Sequence, residues 1–154
     1  MEINILIEPE LEGCLDETWL HLVAERALVE AGAGSGAELS LVIATQEKVQ
    51  ELNRDYLGKD VPTDVIAFSM VPEEKELPSF VSPPDGVDHL GEVIISYPQA
   101  VIQAGDYRHS VKREVAILII HGVLHLLGYK DDKPELKRQM SAREMEILAT
   151  LKEI

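Results

Sequence analysis

The chain has 154 residues, 45% of them apolar, enough for one ordinary domain with its own core, which excludes a disordered tail or a short disulfide scaffold. Fourteen basic against 28 acidic residues leave a net charge of -14, which argues against broad, non-specific binding to nucleic acid or to an anionic membrane, since such binders need surplus Lys and Arg to displace counterions. The lone Cys14 excludes an intrachain disulfide and a multi-cysteine zinc site, and fits a reducing compartment.

In chain order, Asn4 to Ile7 reads as a first strand, and Asp16 is placed to cap a helix whose Trp19, Leu20, Val23, Ala27 and Leu28 share one face. Gly32 to Gly36 end it. Leu39 to Ala44 (LSLVIA) reads as a second strand, and Thr45 caps a short helix running to about Asn53. Val65 to Phe68 gives a third strand and Glu92 to Ser96 a fourth. Between them Pro72, Pro78, Pro83, Pro84 and Gly86 mark an irregular surface loop. Three helices follow: Tyr97 to about Gly105, then Ser110 to Leu127 with Gly128 as its stop, then one opened by Asp132-Lys133-Pro134-Glu135. Asp132 is the expected cap of that last helix, and Met140, Ile147, Leu148 and Leu151 its buried face. The expected fold is α+β, an α/β sandwich in which a small four-stranded sheet packs with about five helices in a single domain over 1–154.

The acidic, alternating start Met1-Glu2-Ile3-Asn4 is unlike a secretory leader. The longest apolar stretch, 13 residues from Val115 to Leu127, is short of the roughly 20 that cross a bilayer. A cytoplasmic protein with no membrane partner is expected. Charge is also unevenly spread, with a net of -8 over residues 1–40 and +3 from Gly105 to Arg143, around the apolar helix.

The informative stretch is His121-Gly122-Val123-Leu124-His125-Leu126-Leu127-Gly128-Tyr129-Lys130-Asp131. Two histidines four residues apart share a helix face and can hold one metal ion. The glycine three residues later lets the chain turn back, and Asp131 then offers a third, oxygen ligand. Three ligands with one open position is the layout of a catalytic rather than a structural zinc. The plainer alternatives are two hydrogen-bonded core histidines and an Asp131 that merely solvates the turn. Burying two imidazoles among Ile117, Leu118, Leu124 and Leu126 is costly unless both are satisfied, and one metal ion satisfies both. The metzincin proteases share the spacing as H-E-x-x-H-x-x-G-x-x-H. Gly122 argues against that chemistry, because it replaces the glutamate that acts there as general base.

This stretch, together with the run from Asn53 to Phe68 (NRDYLGKDVPTDVIAF) and Gly91-Glu92-Val93, resembles the YbeY family of bacterial single-strand endoribonucleases and rRNA maturation factors. The resemblance implies a small mixed sheet beside a central metal-binding helix, and one Zn2+ held by His121, His125 and the residue at position 131. It also implies single-stranded or ribosomal RNA as substrate, with small-subunit ribosomal proteins and an assembly GTPase as partners. The family's third ligand is a histidine. Asp131 in its place makes the site harder and more tolerant of Mn2+ or Mg2+.

Leu57 stands where the family usually has an arginine suited to binding phosphate, Ala67 where it has serine, and Glu92 where it has aspartate. Arg54 and Lys59 either replace that arginine or are solvated charges. Pro62-Thr63 fixes a turn into the third strand, or Asp60, Thr63 and Asp64 line a cleft, with Asp60 and Thr63 the catalytic candidates. Lys112, Arg113 and Lys130, with Lys137 and Arg138, are candidate RNA contacts provided that they share the face opening on the metal. Tyr129 either stacks on a base or packs. The leading expectation is a metal-dependent endoribonuclease acting in rRNA maturation and ribosome quality control. The alternatives are a catalytically weak ribosome-assembly factor and a hydrolase of another substrate.

Overall fold

The structure, a computed structural model, describes residues 1–70 and 88–151, and most of the expected proline-rich loop lies outside them. The first strand, β1 (Glu2–Ile7), alternates as its sequence does, turning Ile3, Ile5 and Ile7 inward and leaving Leu6 exposed. A 3-10 turn at Pro9–Leu11 leads to helix α1 (Glu17–Glu30), whose Thr18 N–H donates to the capping Asp16 carboxylate at 2.9 Å. The second strand, β2 (Ala37–Ala44), precedes α2 (Gln46–Leu57), which starts on Thr45 and runs past the expected Asn53 to Leu57.

Strands β3 (Val65–Ser69) and β4 (Asp88–Ser96) follow, then helices α3 (Tyr97–Tyr107), α4 (Val111–Leu126) and α5 (Pro134–Ala149). The strands form one mixed sheet in the order β1-β2-β4-β3, with β1/β2 and β2/β4 parallel and β3 antiparallel to β4. The two parallel pairings are the ones that need helical crossovers, which α1 and α2 provide or begin.

Most of the core lies on one face of the sheet. There α4 touches α1, α3, α5, β3 and β4, so that the most apolar helix is also the most surrounded. Its approach to the sheet depends on Gly122, where a Cβ would lie 2.6 Å from the buried Val93 side chain. The other face carries a smaller cluster, Ala44, Val49, Ile66 and Ile94, under α2. Among the described residues no helix is long and apolar enough to cross a membrane.

One expected cap is corrected. Helix α5 begins after Lys133, without a side-chain cap: proline suits the first helical position, so Pro134 sets the start one residue later than Asp132 as cap would have done.

Candidate metal centre and cleft

Helix α4 ends in a Schellman turn: Gly128 N–H donates to His125 O at 3.1 Å and Tyr129 N–H to Leu124 O at 3.0 Å, with Gly128 at φ +101°. That left-handed residue reverses the chain and brings Tyr129 and Asp131 back over the helix end. Three ligand atoms meet there. His121 Nε2 and His125 Nε2 are 3.0 Å apart, and Asp131 Oδ2 lies 3.8 Å from the first and 3.5 Å from the second.

These spacings fit a metal. Bonds of about 2.0–2.2 Å arranged tetrahedrally place donor atoms about 3.3–3.6 Å from one another, and the observed 3.0, 3.5 and 3.8 Å straddle that range. The remaining imidazole nitrogens are already engaged. His121 Nδ1 donates to the Glu144 carboxylate of α5, and His125 Nδ1 donates to the Tyr129 carbonyl at 3.1 Å. Both rings thereby keep an Nε2 lone pair toward the shared point, the arrangement that outer partners of metal-bound histidines impose. Burial alone lowers the His121 pKa, but the hydrogen bond and charge of Glu144, helped by Asp131 and Asp64, outweigh it and hold the pKa above the ordinary value.

Beside the cluster opens a cleft of 470 Å³ walled by β3 and the residues before it and by α4, with Leu57, Thr63, Asp64, Ala67, His121 and His125 among its lining. Thr63 and Asp64 thus reach it. Asp60 does not: it is exposed, and its carboxylate accepts from Gln50 Nε2 at 3.0 Å. With Asn53 Nδ2 donating to Val61 O at 2.9 Å, that bond ties the loop before Thr63 to α2. Asp64 is held from behind, Oδ1 accepting from the Val65 N–H at 2.7 Å and Oδ2 from Gln103 Nε2 at 3.3 Å. The same Gln103 nitrogen donates at 2.8 Å to the buried Glu114, whose other oxygen meets His109 Nε2 at 2.7 Å.

No further histidine completes the cluster. His109 precedes α4 and is committed to Glu114, His89 pairs with Glu38 at 2.7 Å, and His21 is exposed on α1 beside Glu25. None of the expected cationic contacts lines the cleft. Arg54 is paired with Asp55 at 3.1 Å, and Lys112 sits over the Trp19 ring at 5.4 Å, while Lys59, Arg113 and Lys130 lie outside the lining. Tyr129 packs against the core. Glu144 is the partner that sequence reasoning missed. Its signal was a carboxylate inside the apolar stripe of Met140, Ile147 and Leu148.

Comparison with known proteins gives a consistent result. The profile of a family described as "Endoribonuclease YbeY" matches residues 10–152. A protein of that name from Dehalococcoides mccartyi (strain CBDB1) is 43% identical over 100% of this chain and 95% of its own length. One from Geobacillus thermodenitrificans is 44% identical over 86% of this chain and 83% of its own. A Thermotoga maritima protein solved in solution shares the fold at a TM-score of 0.59 and 21% identity, covering 96% of this chain and 90% of that one.

Proposed function

The chain belongs to the YbeY family of endoribonucleases, and from that premise we propose that it is an RNA-cleaving hydrolase whose reaction takes place in the cleft beside His121, His125 and Asp131. The observation that carries this reading is the convergence of the three ligand atoms while both Nδ1 atoms are bonded elsewhere. One divalent ion is held there by the two imidazoles and the carboxylate. Zinc suits the two nitrogens, and the carboxylate widens tolerance to Mn2+ and Mg2+. Bound, the ion supplies Lewis acidity at a phosphoryl oxygen.

The chain's own groups do the rest. The Thr63 hydroxyl donates to the substrate from the wall opposite α4, and Asp64, anchored by Val65 and Gln103, turns its carboxylate to the cleft as the group that accepts a proton. Asp60 acts on Thr63 through the loop that Gln50 pins, a positioning role. Arg54, Lys59, Lys112, Arg113 and Lys130 guide RNA from outside the cleft, Lys130 from the position next to Asp131. Family membership supports ribosomal RNA as the natural substrate in a cytoplasmic maturation step, with small-subunit ribosomal proteins and an assembly GTPase as partners. The test is cleavage of single-stranded RNA with added Zn2+, Mn2+ or Mg2+. The wild type cleaves and the His121→Ala, His125→Ala double variant does not, whereas equal cleavage by both refutes the reading.

The absence of Lys and Arg among the described residues of the cleft lining favours a second reading, an assembly factor with weak catalysis. Tight binding to rRNA without measurable turnover under all three ions selects it.

A further inference from the structure

Among the described residues the cleft's lining holds one carboxylate, Asp64, and no Lys or Arg, and Asp131 of the ligand cluster lies beside it. A polyanionic strand must therefore find neutral donors. The wall opposite α4 offers them, because among the described residues β3 is an edge strand of the sheet.

Which of its backbone groups are open follows from the ladder. Ser96 N–H donates to Asp64 O at 2.9 Å and Met70 N–H to Leu90 O at 3.0 Å, within the antiparallel register that pairs Ile66 with Ile94 and Ala67 with Val93. Residues 64, 66, 68 and 70 therefore turn their N–H and C=O groups toward β4, and residues 65 and 67 turn theirs outward. The Val65 N–H is used by Asp64. The Ala67 N–H and the carbonyls of Val65 and Ala67 meet no partner among the described residues, and both residues line the same cleft as His121 and His125.

Resting on the endoribonuclease reading, we propose that the open edge of β3 is the subsite that holds the RNA strand beside the metal ligands. The Ala67 N–H donates to a phosphate oxygen, and the Val65 and Ala67 carbonyls accept from ribose 2′-hydroxyls. An amide recognises phosphate without a charge, and a carbonyl can accept only from a donor. A 2′-hydroxyl is such a donor and deoxyribose has none, so this edge discriminates RNA from DNA without reading bases.

The test uses the full chain and a single-stranded RNA tetranucleotide, with DNA of the same sequence as control. With RNA present, hydrogen exchange at the Ala67 amide slows about tenfold or more, as for a new bond to a charged group, while DNA, which carries the phosphate but no 2′-hydroxyl for the Val65 and Ala67 carbonyls, slows it markedly less. The Ile66 amide, already in the ladder, does not change with either. Ala67→Pro deletes the outward N–H at an edge position where proline is tolerated. It keeps the metal content and raises KM for RNA about tenfold at nearly constant kcat. RNA bound with Ala67 exchange unchanged, or Ala67→Pro cleaving with wild-type KM, overturns the edge subsite and leaves the endoribonuclease reading standing. A wild type that neither binds nor cleaves RNA overturns both. If Ala67→Pro does not fold, exchange in the wild type decides alone.

Discussion

His121 and His125 face one another across one turn of α4 with their Nε2 atoms 3.0 Å apart, while their Nδ1 atoms are drawn in different directions, to Glu144 and to the Tyr129 carbonyl. Two imidazoles brought this close without a shared proton or ion set two lone pairs against each other. A cation between them removes that conflict. Purified wild-type protein should hold about one divalent ion per chain. The His121→Ala, His125→Ala double variant should hold almost none by elemental analysis, and equal metal in both would sink the centre.

Glu144 should matter as much as a direct ligand's neighbour can. Glu144→Gln keeps the size of the side chain but removes the charge that the His121 Nδ1–H faces, and should weaken metal affinity about 10–100-fold by chelator competition. Unchanged affinity would mean that Glu144 serves only to pack α5.

The raised His121 pKa gives two opposite pH trends. Metal competes with a proton at this imidazole, so affinity should be level above the raised pKa and fall about tenfold per pH unit below it, from a higher pH than for a free imidazole. In metal-free protein the protonated ring beside Glu144 is stabilising. That contribution is complete below about pH 6.5, the unfolded value, and is lost as pH rises through the raised folded value. Chelator competition and thermal melts over one pH series measure both.

Leu57 lines the cleft at the end of α2 and is half exposed, so an arginine there reaches the cleft without entering the core. Leu57→Arg should tighten single-stranded RNA binding and steepen its log–log salt dependence by about 0.7, one phosphate contact. An unaltered slope would show that RNA does not pass position 57.

Gly122→Ala places a methyl group 2.6 Å from a Val93 carbon that is itself fully buried. The expected loss is about 1–3 kcal/mol in denaturant unfolding, as for an overpacked core. A neutral result would mean that α4 shifts freely against β4.

The order of strands and helices was legible because apolar periodicity and caps are local: Asp16, Thr45 and Ser110 all accept the expected backbone N–H. The pair of histidines and the returning Asp131 were legible for the same reason, since a helix turn and a glycine stop fix their separation. What could not be read depends on distant contacts. Asp60 and Asp64 flank the same proline, and only the reach of Gln50 from α2 decides that Asp64 enters the cleft. Glu144 meets His121 only because α5 docks on α4, and the local positive charge around α4 divides among faces that the sequence does not separate, Lys112 against Trp19 and Lys130 beyond the turn.

Glu144 follows His121 by 23 residues, on the helix that closes the described chain. During synthesis the two histidines and Asp131 leave the ribosome before the carboxylate that orients His121. A nascent or clipped chain lacking α5 therefore has its ligands without their alignment. Packing of Met140, Ile147 and Leu148 thus reaches the ligand cluster through a single carboxylate, and a fault in the α5 interface would misalign His121 without touching a ligand.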